Sequence, residues 1–262
     1  MDIAARFLPN RSRERELKMV CGAFYIPKGK SSKPQGDDAH FICEEKNTFG
    51  VADGVGGWSK SGVDAGQYAR ELMANCVKEI ENAEKGEVDP RRVLDEAYRN
   101  TNAEGSSTAC ILTLTNNHAV VANVGDSGFM VIREGKEVFK SSIQQHTFNC
   151  PYQLGNATRS DSPNLAQMYR TPVKPGDVIV MGTDGLLDNM FSEDICVVVK
   201  MMTESSSEPQ QAAWVIAEHA YNNSVDSLAA TPFVQAAVMA GKDHLGGKAD
   251  DITVIVAYVV AK

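Results

Sequence analysis

Residues 109–139 read ACILTLTNNHAVVANVGDSGFMVIREGKEVF, and the fold class turns on this stretch. Four short runs rich in Ile, Val, Leu, Thr and Phe are separated by polar breaks that include Asn116-Asn117 and Glu134-Gly135. Asn and Gly tolerate the left-handed backbone that tight hairpin turns require, so the pattern predicts an antiparallel meander. Working outward, Ala39–Cys43 and Thr48–Ala52 read as two more strands around the polar turn EEKN. Pro175-Gly176 turns into a strand over 177–181. Ile252–Val259 is an almost unbroken apolar run, a composition that suits a central strand covered on both faces.

Helical periodicity fills the gaps. Tyr68, Leu72, Met73, Cys76 and Ile80 recur at helical spacing within 63–84, and Pro90 opens a second amphipathic segment to about Asn102. Further helices are predicted from Ser192, with Ser192 as cap and Glu193 as first-turn acid, over Pro209–Asn222, and near Thr231–Ala240. Residues 141–170 lack a sustained period and read as a long ordered loop. Strands and helices gathered in blocks mean α+β layering and exclude a strictly alternating parallel sheet. A single domain over 21–262 is expected, preceded by residues 1–20 as a tail or helix. That leading stretch is Arg-rich, as transit segments are, but it carries Asp2, Glu14 and Glu16, which such segments avoid.

The formal net charge of −8 argues against nonspecific nucleic-acid binding, and no apolar run is long enough to span a bilayer. Six scattered cysteines without a C-x-x-C pair fit reduced thiols in an intracellular compartment, and the five histidines lack zinc-ligand spacing. Aspartates, by contrast, fall at strand ends: Asp37-Asp38 before one, Asp53 and Asp126 after others, Asp184 and Asp188 after another, Asp250-Asp251 before the last. An Asp-Gly after a strand is a common turn, so each instance alone is read as structural. Jointly they bring carboxylates to one sheet edge, where they repel unless divalent cations intervene. Hard oxygen ligands select Mg²⁺ or Mn²⁺ over zinc, and two such ions activate a water and polarise a phosphoryl group. The implied reaction is phosphate monoester hydrolysis without a covalent phospho-enzyme.

The ordered series GDDAHF (36–41), GVADGVGGW (50–58), GSSTACIL (105–112), VANVGDSG (121–128), VMGTDGLLD (180–188) and ADDITVIV (249–256) resembles the protein phosphatase 2C family. Within it, DGVGGW, QQHTFNCPYQL (144–154) and KADDITVIV are most similar to the T-cell activation phosphatase homologue type and its plant relatives. The resemblance implies a four-layer α-β-β-α sandwich of two antiparallel sheets flanked by helices, with two Mn²⁺ or Mg²⁺ ions at one end. It implies that Asp53 bridges both ions, Asp184 and Asp250 hold the first, and the Gly54 carbonyl and Asp37 serve the second. Asp38, Asp188 and Asp251 take supporting positions.

The chain also departs from the family pattern. Val55 stands where many members have a general-acid histidine, Asp37 where a glutamate is usual, and Gly128 where an arginine is usual. Gln145-His146 replaces an Asp-His pair, so no third cation is predicted. The phosphate-binding arginine is missing before GDDA; Lys33 is the nearest cation, either in that role or as a solvated loop lysine. Packing or loop-ordering roles are expected for His146 and Cys150.

Three readings follow. The first is a protein serine/threonine phosphatase acting on phosphoprotein substrates. The second is a catalytically weak phosphoprotein-binding regulator of the same fold, and the third a hydrolase of small phosphoesters. The expected compartment is intracellular: cytosol, nucleus, chloroplast or mitochondrion.

Overall fold

The computed structural model describes residues 16–29, 35–84, 86–156 and 160–262. In chain order the strands are β1 (Leu17–Ile26), β2 (Asp38–Cys43), β3 (Thr48–Asp53), β4 (Ser106–Ser107), β5 (Ala109–Thr115), β6 (His118–Val124), β7 (Gly128–Arg133), β8 (Lys136–Lys140), β9 (Gln145–Thr147), β10 (Cys150–Pro151), β11 (Leu154–Gly155), β12 (Gln167–Pro172), β13 (Val178–Gly182) and β14 (Ile252–Ala261). The helices are α1 (Ala65–Asn82), α2 (Pro90–Asn100), α3 (Asp184–Leu187), α4 (Ser192–Glu204), α5 (Pro209–Val225) and α6 (Pro232–Met239).

Two five-stranded sheets carry the fold, ordered β1-β14-β13-β7-β8 and β12-β6-β5-β3-β2, and neighbouring strands in both are antiparallel. Their facing surfaces pack Phe49, Val51, Leu112, Val121, Phe129, Ile179 and Ile255 into a dry middle layer. Tyr68, Leu72, Ile80 and Leu94 of α1 and α2 cover the outer face of the second sheet; Ile195, Val199 and Ile216 of α4 and α5 cover the first. The result is the four-layer sandwich. In β14 Ile252, Val254 and Val256 face the helices while Ile255, Ala257 and Val259 face the other sheet, so both sides of the strand must be apolar. Local signals place the helix starts. The Asp64 and Asp89 side chains accept from Gly66 N and Arg91 N at 3.2 and 2.9 Å, and Thr231 Oγ1 accepts from Val234 N at 3.3 Å.

The structure corrects four expectations. Residues 109–139 form two hairpins in different sheets: after β6 the chain crosses the sandwich through Gly125-Asp126-Ser127 to start β7. A crossing and a tight turn share Gly and Asp, so the sequence pattern does not separate them. Residues 17–20 belong to β1, which pairs with β14 along its whole length, so the expected tail gives way to a strand at Leu17; residues 1–15 lie outside the described residues. The loop predicted over 141–170 contains the β9–β10 hairpin, β11 and the first four residues of β12. As a sheet-edge strand reading QMYRTP, β12 is half-buried at alternate positions and carries little apolar signal. Finally, α4 has Phe191 at its cap without a side-chain bond, while Ser192 Oγ instead accepts from Lys140 Nζ at 3.0 Å. Among the described residues no helix is long and apolar enough to cross a membrane.

Candidate metal centre

One end of the sandwich collects the aspartates because four strands start or stop there. Antiparallel pairing of β2 with β3 sets Asp38 opposite Asp53. From the other sheet, β13 runs into Asp184 at the start of α3, and β14 begins just after Asp250-Asp251. Gly54 N donates to Asp37 O at 3.1 Å, and a Cβ on Gly54 would lie 2.4 Å from Ala65 O and 2.5 Å from Asp37 O. Only glycine fits there.

Two buried aspartates tie the sheets together. Asp38 Oδ2 accepts from Thr183 Oγ1 at 2.8 Å and Thr253 Oγ1 at 2.7 Å, which pins β2 against the ends of β13 and β14. Asp251 accepts from the Tyr25 hydroxyl at 2.8 Å, Lys28 N at 2.9 Å and Asp37 N at 3.1 Å. These bonds fix the backbone that carries Asp37, Asp53 and Asp250.

The remaining acids crowd one another. Burial, then Asp184, Asp38, Asp250 and Asp126, hold the Asp53 carboxyl well above the usual carboxylate range. Burial followed by Asp184 pushes Asp126 up to about 8 against the opposing pull of Lys248. Burial also raises Asp188, to about 6 with Lys248 again opposing, and raises Asp250 with Asp184 as its next cause. Such mutual elevation occurs when several anions share one poorly solvated volume.

Three oxygens in this cluster, Asp38 Oδ1, Asp126 Oδ1 and Asp184 Oδ1, are buried without a hydrogen-bond partner. Buried carboxylate oxygens left bare are costly, and hard divalent cations are the ligands such a donor set fits. As the side chains stand, no three acidic, histidine or cysteine groups among the described residues already form a closed cation cage. A lysine sits between them. Lys248 Nζ contacts Asp184 Oδ2 and lies 2.8 Å from Asp188 Oδ2 and 3.4 Å from Asp250 Oδ2. Burial works against its charge, but Asp184, Asp188 and Asp250 outweigh burial and hold the ammonium well above the usual lysine range.

The structure thus gathers Asp37, Asp38, Asp53, Gly54, Asp184, Asp188, Asp250 and Asp251 at one end, whereas Lys33 lies outside the described residues. Sequence reasoning missed Lys248 and Lys28 and left Asp126 without a role. Lys28 Nζ reaches Asp250 Oδ1 at 3.1 Å and borders a cleft of about 210 Å³ lined by Gly36, Asp37, Gly56, Ser59 and Asp251. No motif marks Lys28, and Lys248 opens the KADDITVIV motif without that motif assigning it a role. Gln145 Nε2 lies 3.3 Å from Asp126 Oδ2, and His146 pairs with Asp161 at 3.0 Å and stacks on Tyr152. That is the packing role expected of the histidine.

Comparison with known proteins decides the family. The protein phosphatase 2C family model matches residues 30–220. This chain belongs to the protein phosphatase 2C family. It is 49% identical over 247 residues to probable protein phosphatase 2C 55 of Arabidopsis thaliana, a match covering 94% of the chain and 53% of that protein. It is 40% identical to the human protein phosphatase PTC7 homolog, over 86% of the chain and 79% of that protein. The chain spans about half the length of the first of these relatives. Among solved structures, the photosystem II phosphatase PBCP aligns with a TM-score of 0.85 at 34% identity, over 92% of this chain and 98% of that one. The catalytic domain of the serine/threonine protein phosphatase PstP, solved with two manganese ions, aligns with a TM-score of 0.64 at 17% identity, over 94% of this chain and all of that one, a likeness of fold.

Proposed function

We propose that this family member is a protein serine/threonine phosphatase that hydrolyses phosphoserine and phosphothreonine with two Mn²⁺ or Mg²⁺ ions. The observation that carries the reading is the acidic cluster assembled from both sheets, with buried oxygens left bare on Asp38, Asp126 and Asp184. Support also comes from relatives named as phosphatases and from the two manganese ions of PstP on the same fold. Asp53 would bridge the two cations, Asp184 and Asp250 would hold the first, and the Gly54 carbonyl with Asp37 the second. Bound there, the cations lower the pKa of a water and polarise a phosphoryl oxygen.

The chain's own residues do the rest. Asp38 and Asp251 hold the two ligand-bearing strand ends in register through Thr183, Thr253, Tyr25 and the Asp37 amide. Lys28, half exposed at the mouth of the cleft, is placed to meet a phosphoryl oxygen. The site is open to solvent on the side of Gly56 and Ser59, so a phosphorylated side chain on a protein surface can enter.

The test is hydrolysis of para-nitrophenyl phosphate and of phosphopeptides with Mn²⁺. Activity should vanish on chelation and fall by about 10³-fold or more in Asp53→Ala, since the cations are asked for several kcal/mol. A folded protein without cation-dependent hydrolysis of either substrate overturns the reading. Val55, in the place of a general-acid histidine, favours the rival regulator. A binding module would keep its phosphoprotein affinity after the metal is stripped.

A further inference from the structure

We propose that the Lys248 ammonium is a tethered counter-ion that takes the first cation's place in the metal-free protein and must be displaced for that cation to load. The inference rests on the two-cation reading above and concerns what the chain does before the ions arrive.

Three observations carry it. First, the lysine is aimed. Asn189 Oδ1 accepts from Lys248 N at 2.9 Å and Asn189 Nδ2 donates to Lys248 O at 2.9 Å, so the backbone is clamped on both sides and the side chain runs inward. Second, its partners are the ligands themselves. Nζ touches Asp184 Oδ2 and stands 3.4 Å from Asp250 Oδ2, and those two residues are assigned to the first cation; Asp188 Oδ2, at 2.8 Å, completes a three-carboxylate nest. Third, the ammonium is hardly wet: the side chain is 15% exposed, and the Phe233 ring closes the side away from the acids with its centroid 5.2 Å from Nζ.

A cation held by Asp184 and Asp250 needs their oxygens at about 2.0–2.6 Å. An ammonium bonded to Asp184 Oδ2 and paired with Asp250 Oδ2 at 3.4 Å crowds that space, and two positive charges a few ångströms apart repel strongly where solvent screening is weak. One must leave. Lysine suits the task because its charge is a point on a flexible stem, whereas an arginine would lock both carboxylates in a planar fork. The arrangement keeps the acids from driving the sandwich apart when cations are scarce, and it weakens cation binding in return.

The experiment uses the full chain. Wild type and Lys248→Met are stripped with chelator and titrated with Mn²⁺ and Mg²⁺ by calorimetry, and their melting is followed without metal. The variant should bind one cation at least tenfold more tightly, melt several degrees lower without metal, and gain more on loading. Equal or weaker cation affinity in the variant overturns the inference. If the variant does not fold without metal, wild type labelled with ¹⁵N-lysine decides the matter. Chelated protein should show one slowly exchanging ammonium resonance that is lost as Mg²⁺ saturates, and a resonance that persists unchanged through saturation overturns the proposal. Wild type that binds Mg²⁺ and releases the ammonium but hydrolyses no phosphoester leaves this inference standing and removes the phosphatase reading. An active wild type with unchanged cation affinity in Lys248→Met does the reverse.

Discussion

Asp177 carries no solvent-exposed side-chain surface, and its partners explain why burying a carboxyl group there is tolerable. Arg133 Nε and Nη2 donate to its two oxygens at 2.7 and 2.8 Å, and Lys174 N adds a bond at 2.9 Å. Removing the acid deletes its bonds to Arg133 and to the Lys174 amide, but the guanidinium is about one-third exposed and can turn to water, so Asp177→Ala should lose about 1–2 kcal/mol in urea denaturation. Thiols give a second test at this scale. Burial, then Glu44, pushes Cys21 up to about 12, and burial, then Glu81, raises Cys43; a raised thiol stays protonated and unreactive until the pH climbs towards its own pKa. Cys76, Cys110 and Cys196 are buried outright, whereas Cys150 is exposed. A chromogenic disulfide reagent at pH 8 should therefore find one fast thiol, absent in Cys150→Ser. At this scale the acids were legible because each follows or precedes a strand and so has a position before it has a partner. Lys28 and Lys248 were not, since a lone lysine in a polar loop carries no periodicity and its partners lie far along the chain.

Helix α5 and strand β1 show what elements add. At Gly22 the helix start comes so close that a Cβ would lie 2.2 Å from Gln210 N and 2.6 Å from Pro209 C, both backbone atoms that cannot swing aside. Next to it, Ala23 N donates to Gln210 Oε1 at 3.0 Å and Ala23 O accepts from Gln210 Nε2 at 2.6 Å, so the helix satisfies the free edge of β1 at Ala23. Gly22→Ala should push α5 off the sheet at a cost of about 2–3 kcal/mol in chemical denaturation, a large effect for one methyl group. The sequence held this strand in plain view as LKMVCGAFYI, but its charged neighbours and its glycine masked the alternation. Helices α1, α2, α5 and α6 were legible within a few residues because capping aspartates, Thr231 and the prolines mark their starts. The crossing from β6 to β7 was not, because the choice between pairing within a sheet and leaving it is made by contacts distant in sequence.

At the scale of the molecule, the acidic end bears on stability. If two cations bind the native state and ignore the unfolded one, saturating Mn²⁺ or Mg²⁺ should raise the melting temperature in a concentration-dependent way, with about 2.7 kcal/mol gained per cation at a hundredfold excess over its Kd. Differential scanning across a cation series checks this, and Asp53→Ala should flatten the dependence. The α+β layering was legible from blocks of strands and helices, because each element's apolar face had to find a partner, whereas the four-layer sandwich was implied by the family resemblance. The seam between the sheets holds a further consequence. Asp37 N is bonded to Asp251 Oδ2 across 214 positions, and Thr253 Oγ1 reaches Asp38 Oδ2 across 215. Contacts so remote form late. During synthesis the emerging polypeptide therefore cannot assemble the acidic cluster until β14 has left the ribosome and slotted between β1 and β13, so a product cut short before β14 would lack the cluster however well its earlier layers had set.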